Sequence, residues 1–105
     1  MKPNTRDELL KIIEVTIEKE GLNCDLNFID TSNITDMCGL FAKSDFNGNI
    51  ADWDVSKVTD MGFMFYNSKF NGNISNWGIS NIVDTRYMFC STKVNKDISK
   101  DLGII

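Results

Sequence analysis

Apolar and polar positions along this chain recur with a step of 24 residues. The string FNGNI at residues 46–50 returns at residues 70–74, and Trp53 returns as Trp77. Self-similarity at a fixed period indicates stacked structural units, each too small to bury its own apolar face. The pattern predicts one domain over residues 1–105, made of an N-terminal capping helix and strand (1–29), three repeats (30–53, 54–77 and 78–101) and a tail (102–105).

The first element that the pattern predicts is a helix over Arg6–Glu20. Thr5 and Glu8, three residues apart, form a capping box, and Gly21 stands where a glycine ends many helices. Apolar and polar residues then alternate over residues 22–28. This period of two predicts a strand with one buried face.

Each repeat combines two periodicities. Val58, Met61, Met64 and Phe65 are spaced i, i+3, i+6 and i+7, which predicts a short helix with one apolar stripe. The fold class predicted is therefore α/β: a short repeat solenoid of about four 24-residue helix-turn-strand units, the first a diverged capping helix. Short strands are predicted around Gly48–Trp53, Gly72–Trp77 and Lys96–Leu102.

Composition narrows the chemistry. The chain has 11 basic and 15 acidic residues, a net charge of −4 and no histidine. Without imidazole there is no Ser/His or Cys/His nucleophile pair and no histidine metal site. We therefore expect a protein that is not an enzyme and that holds no cofactor and no metal. The acidic balance also disfavours direct binding of nucleic acid, whose phosphates require clustered Lys and Arg.

Two further sets of residues have simple structural interpretations. Asp36, Asp60 and Asp84 share one column of the repeat. Capping of the predicted short helices is favoured over a calcium ladder, because a carboxylate stabilises the positive end of a helix. The three cysteines fall in three different columns and are interpreted as small apolar residues.

The first twenty residues carry charges throughout and contain no long apolar run. This pattern predicts a cytoplasmic protein that makes no contact with a membrane. A trimmed piece of an exported protein would show the same pattern, and the cell surface is then the expected location.

Three aromatic side chains lie outside the predicted core. Phe63 and Tyr66 fall off the stripe of Met61 and Met64, and Tyr87 occupies the Phe63 column one repeat later. Stacking of the repeats would bring Phe63, Tyr66 and Tyr87 into one exposed or half-exposed patch, of the kind that anchors protein interfaces. The same side chains would equally serve to cover the adjacent helix, and both interpretations stay open.

A longer stretch of the sequence resembles the repeat of a known protein family. WDVSKVTDMGFMF at residues 53–65, followed by FNGNISNW at residues 70–77, resembles the repeat of BspA-type bacterial proteins, also known as the DUF285 repeat. The likeness covers about residues 26–100. It implies a leucine-rich-repeat-like α/β solenoid with non-catalytic roles in adhesion and protein recognition, often on bacterial surfaces.

Three functional hypotheses follow. The first is a non-enzymatic module that binds a partner protein through one face of the solenoid, with Phe63, Tyr66 and Tyr87 as the partner-binding residues. The second is an acidic inhibitor of a host defence nuclease, encoded by a phage or mobile element and similar to anti-CRISPR proteins. The third is a fragment of a bacterial surface adhesin. The partner protein stays unidentified, and a homodimer through one end of the solenoid is a further expectation.

Overall fold

The computed structural model describes residues 1–78 and 84–92. One α-helix in this part of the chain, α1, spans Arg6–Glu20, so the predicted helix is confirmed. Thr5 Oγ1 accepts the Glu8 N–H at 3.2 Å, and the helix ends at Gly21, whose φ is 94°. No helix among these residues is long and apolar enough to cross a membrane.

The predicted α/β solenoid of helix-turn-strand units is wrong. Beyond α1, the described residues form neither a second helix nor a strand. Three isolated parallel bridges join Asp25 to Asn49, Asp36 to Asp60, and Asp60 to Asp84. The leucine-rich-repeat-like architecture is part of the same correction. The predicted strand Lys96–Leu102, the tail and the end proposed for a homodimer lie outside the described residues.

Hydrogen bonds from every second residue connect neighbouring 24-residue segments instead. Four N–H groups of residues 37–43 donate to carbonyls of residues 60–66 at 2.7–2.9 Å, and the same pattern runs from residues 61–67 to residues 84–90. The donors in the first set are Met37, Gly39, Phe41 and Lys43, and their acceptors are Asp60, Gly62, Met64 and Tyr66.

The N–H groups between these donors form local turns. Leu40, Ala42 and Ser44 each donate to the carbonyl three residues back, at 3.0–3.2 Å. An α-helix needs N–H groups that bond the carbonyl four residues back. Because the donors alternate between a neighbouring segment and a three-residue turn, the predicted short helices cannot form, although the apolar spacing is right.

The core consists of equivalent side chains stacked on each other. The rings of Phe41 and Phe65 lie 5.8 Å apart with an interplanar angle of 1°, and those of Trp53 and Trp77 lie 6.4 Å apart at 4°. Both Trp side chains are at least 96% buried. Each indole N–H donates to a backbone carbonyl of the preceding segment, Leu26 at 2.9 Å and Ile50 at 3.1 Å.

Truncation of the Trp column should destabilise the fold strongly. We expect Trp53→Ala and Trp77→Ala each to lower the free energy of unfolding by about 3–5 kcal/mol, because each leaves a large cavity and removes a buried hydrogen bond. Urea denaturation followed by far-UV circular dichroism measures this change. Val15→Ala, at a side chain that is 51% exposed, is the control and should change it by about 0.5 kcal/mol or less. Equal effects at all three sites would contradict this core.

Two carboxylates close turns at the start of successive segments. Asp30 Oδ1 accepts the Ser32 N–H at 3.0 Å, and Asp54 Oδ1 accepts the Ser56 N–H at 2.9 Å. Hydrogen bonds from the side chain and backbone of these serines hold the pKa of Asp30 and of Asp54 below the ordinary value.

These two turns predict acid sensitivity with a defined sign. A carboxyl whose pKa is lower in the folded state stabilises the protein above its unfolded pKa, and that contribution disappears as the pH falls through the folded pKa. Asp54→Asn keeps an oxygen that can accept the Ser56 N–H but cannot titrate. We therefore expect its free energy of unfolding to fall less steeply below about pH 4 than that of the parent protein.

Urea denaturation across that pH range tests this expectation. Asp52→Asn is the control, because the exposed Asp52 carboxylate accepts no hydrogen bond within the described part of the chain. If Asp54→Asn and the parent lose stability with the same slope, the turn carboxylate does not contribute as stated.

Candidate functional site

The structure brings the three aromatic residues singled out in the sequence into one cluster, which we call the aromatic patch. Phe63 and Tyr87 stack with ring centroids 5.1 Å apart, and Phe63 and Tyr66 meet edge to face at 5.7 Å and 70°. Phe63 is 40% exposed, Tyr87 is 57% exposed and Tyr66 is half-buried. Their role in binding a partner stays a prediction.

The backbone, and not a helix face, directs these rings outward. Phe63 and Tyr87 adopt left-handed conformations, with φ of 57° and 56°. Glycine occupies the same column in the preceding segment, where Gly39 has a φ of 64°. For a bulky side chain this conformation costs about 1–2 kcal/mol per residue, a cost that glycine avoids. Gly39 was the signal in the sequence that could have revealed the left-handed column.

Hydrogen bonds on both sides hold the left-handed residues in place. The Phe63 N–H donates to the Arg86 carbonyl at 2.9 Å, and the Phe63 carbonyl accepts the Tyr66 N–H at 3.1 Å. The Tyr87 carbonyl likewise accepts the Cys90 N–H at 3.2 Å. Hydrogen bonds within the chain therefore hold the backbone of the aromatic patch in place without a contribution from a partner.

A row of carboxylates runs beside the patch. Asp36, Asp60 and Asp84 accept the N–H groups of the residues two positions later at 2.8–2.9 Å. These carboxylates close turns and do not cap helices, so the prediction that they cap short helices is wrong. No group of three His, Cys, Asp or Glu side chains in the described ranges could hold a metal ion.

Arg6 of α1 lies at the end of the left-handed column. Its Nε donates to the Cys38 carbonyl at 2.7 Å, and its Nη1 lies 3.7 Å from Asp7 Oδ1. A Cβ atom at Gly39 would stand 3.8 Å from Arg6 Nη2. A positive charge therefore lies where the column of outward side chains reaches the helix.

The cysteines differ in their surroundings. Burial, followed by the nearby Glu20, raises the pKa of Cys24, and burial, followed by Asp60, raises the pKa of Cys38. Both thiols therefore have less thiolate at neutral pH than a free thiol. Cys90 is exposed and follows Tyr87 by three residues, which places a labelling site beside the patch.

Sequence reasoning missed a second apolar surface. A groove of about 410 Å³ lies between α1 and the loop that follows it, and Val15 and Phe28 are about half exposed there. In the sequence, Val15 indicates this surface, because it is an apolar residue among the charged residues of α1. Its lining also includes Met1, Ile12, Thr16, Lys11, Lys19 and Glu20.

Comparison with protein-family models finds a match over most of the chain. The family model described as "Mycoplasma protein of unknown function, DUF285" matches residues 11–102. The chain belongs to the DUF285 family. The DUF285 match includes the stacked segments and all three residues of the aromatic patch, and the description of the family states no activity. No curated protein and no solved structure matches the chain.

The left-handed backbone at Phe63 predicts an unusual order of stability. Phe63→Ala and Phe63→Gly both remove the ring, but only glycine also relieves the backbone strain. We expect Phe63→Gly to be more stable than Phe63→Ala by about 1 kcal/mol, the reverse of the usual order for these two residues. Urea denaturation of both variants gives the difference.

The matched control is the same pair of substitutions at Tyr66, whose φ is not positive. There the alanine variant should be the more stable of the two. A lower stability of Phe63→Gly relative to Phe63→Ala would contradict the left-handed assignment.

Proposed function

We propose that this DUF285 chain is a non-enzymatic module that binds a partner protein through the aromatic patch. One observation carries the proposal: two bulky side chains, Phe63 and Tyr87, are exposed and occupy backbone positions that favour glycine. Sparsely populated backbone conformations persist at functional sites, where they hold a side chain for a task outside the fold.

The fold does not require a ring at these two positions. Gly39 shows that the column accepts glycine. A ring pair such as Phe63–Tyr87 contributes about 0.5–1.5 kcal/mol beyond the area that it buries, and each left-handed residue costs about 1–2 kcal/mol. The backbone strain offsets part of what the two rings contribute to the fold, and this supports a role in binding.

The form of the patch also suits protein recognition. Aromatic residues, and tyrosine in particular, anchor interfaces with large contact areas and few rotatable bonds. Backbone hydrogen bonds to the neighbouring segments hold Phe63 in place, so binding would order little of the chain.

Co-purification with the tagged protein tests the proposal. The double variant Phe63→Ala/Tyr87→Ala removes both exposed rings, and Val15→Ala/Phe28→Ala removes two apolar side chains of similar exposure from the groove on α1. We expect the first variant to bind a stoichiometric partner from cell extract at least about tenfold more weakly than the parent, and the second to bind it as the parent does.

A thiol-reactive fluorophore on Cys90 then reports contact at the patch itself, with Cys24 and Cys38 replaced by serine. A partner that quenches or shifts this label supports the assignment of the surface. Binding that survives loss of both rings but falls steeply with added salt would contradict it and favour the acidic nuclease inhibitor instead. Loss of binding in the groove variant alone would place the interface on α1.

A further inference from the structure

Large apolar side chains are exposed on two separate surfaces of the described chain. Phe63 and Tyr87 belong to the aromatic patch, whereas Met1, Val15 and Phe28 line the groove of about 410 Å³ on α1. No residue of the aromatic patch lines this groove. The groove is therefore a second surface, for which the proposed function gives no role.

The α1 side of the groove consists of two parallel rows of side chains. Residues four apart on a helix form a ridge. The two ridges here are Lys11, Val15 and Lys19, and Ile12, Thr16 and Glu20. Helices pack by placing a ridge of one helix in the groove between two ridges of the other. The shape of this surface therefore suits the side of a second helix.

The space between the ridges asks for an apolar side chain. Ile12 and Thr16 are half-buried there, and Thr16 Oγ1 donates to the Ile12 carbonyl at 2.7 Å. The Thr16 hydroxyl is thus satisfied by the backbone of its own helix and needs no polar partner. An apolar group in this space would cover Val15 and Phe28, which are both about half exposed.

The charge beside this space is positive, although the chain as a whole carries −4. Lys11 and Lys19 are exposed, and neither forms an ion pair within the described part of the chain. Eight residues separate them, which is about 12 Å along the helix axis. Glu20 lines the groove as well and offsets one of the two lysines.

The other nearby carboxylates do not line the groove. At about 100° per residue, three of them project more than about 100° from the middle of the two ridges, namely Asp7, Glu14 and Glu18. Glu8 takes part in the capping box one turn earlier. In the loop that faces α1, Asp25 accepts the Asn27 N–H at 2.7 Å, and Asp30 lies 3.9 Å from Lys2 Nζ. The lining side chains therefore carry two positive charges and one negative charge.

A second copy of the chain fits this groove poorly. In a two-fold dimer with parallel α1 helices, Lys11 of one copy would face Lys11 of the other. With antiparallel helices centred on Val15, Lys11 of one copy would face Lys19 of the other. Both arrangements place like charges together, which weakens association. A partner with negative charge at both positions would instead pair with both lysines.

We propose that the groove on α1 binds a helix of a partner protein whose apolar ridge is flanked by acidic residues. An apolar side chain of that helix lies between the two ridges, against Val15 and Phe28. Carboxylates four residues before and after it lie beside Lys11 and Lys19. The partner ridge thus runs parallel to the ridge of Lys11, Val15 and Lys19 with the opposite charge. The inference does not depend on the aromatic patch.

A pair of synthetic peptides tests the groove without knowledge of the partner. One is an alanine-based peptide of about 15 residues with leucine at its centre and glutamate four residues before and after it, and the other has lysine in place of both glutamates. Nuclear magnetic resonance titration at low ionic strength follows the amides of Val15 and Phe28. We expect the glutamate peptide to bind with a dissociation constant on the order of 1 mM, and the lysine peptide to bind at least about fivefold more weakly.

Charge substitutions on α1 should change this preference in a fixed order. Lys11→Gln/Lys19→Gln should abolish the preference, and Lys11→Glu/Lys19→Glu should reverse it in favour of the lysine peptide. Lys43→Gln/Lys57→Gln removes the same charge at two exposed lysines outside the groove and should keep the preference of the parent. Circular dichroism checks that each variant folds, and the neutral variant decides the test where the reversed one does not.

Three results would overturn the proposal: equal binding of both peptides by the parent, binding of neither peptide, or a dimer in analytical ultracentrifugation that Val15→Asp dissociates. The last result would assign the groove to a second copy. Phe63→Ala/Tyr87→Ala should bind the glutamate peptide as the parent does, because both rings lie outside the groove. Failure of this inference is therefore distinguishable from failure of the proposed function.

Discussion

The hydrogen bonds that every second residue donates to the next segment are the constraint on which the rest of the structure depends. They run from residues 37–43 to residues 60–66 and from residues 61–67 to residues 84–90. Two backbones joined in this way must follow the same path, residue by residue. Equivalent side chains therefore lie above one another, which is why the Phe41 and Phe65 rings are parallel to within 1°. Burial of these columns then stabilises the register that aligns them.

The same hydrogen bonds between segments repeat the left-handed backbone conformation from one segment to the next. Left-handed residues occur in two columns, four residues apart, and the local turns between them require that geometry. In the second column the residues are polar, Lys43, Asn67 and Ser91, and asparagine tolerates this conformation well. The first column contains Gly39 and then two aromatic residues. The fold thus demands a left-handed residue there, but it does not demand a ring.

Sequence reasoning predicted some levels of this structure well and others poorly. Both ends of α1 could be predicted because Thr5 and Gly21 act on their immediate neighbours. The step of 24 residues and the side chains that share a column were also readable, since Asp36, Asp60 and Asp84 do lie in line. The backbone conformation within each segment could not be predicted from the sequence. An apolar stripe at i, i+3, i+6 and i+7 fits a helix and a series of three-residue turns equally, and bonds between segments decide between them.

The candidate site shows the same division between what is local and what is not. The proximity of Phe63, Tyr66 and Tyr87 follows from their columns, whereas the way the rings are presented follows from a φ that only the stacked backbone imposes. Natural sequences tend to depart from local preference where a function requires it. Two aromatic residues at positions suited to glycine depart from that preference, which is the basis of the proposed role in binding, and Gly39 shows that the fold does not require a ring there.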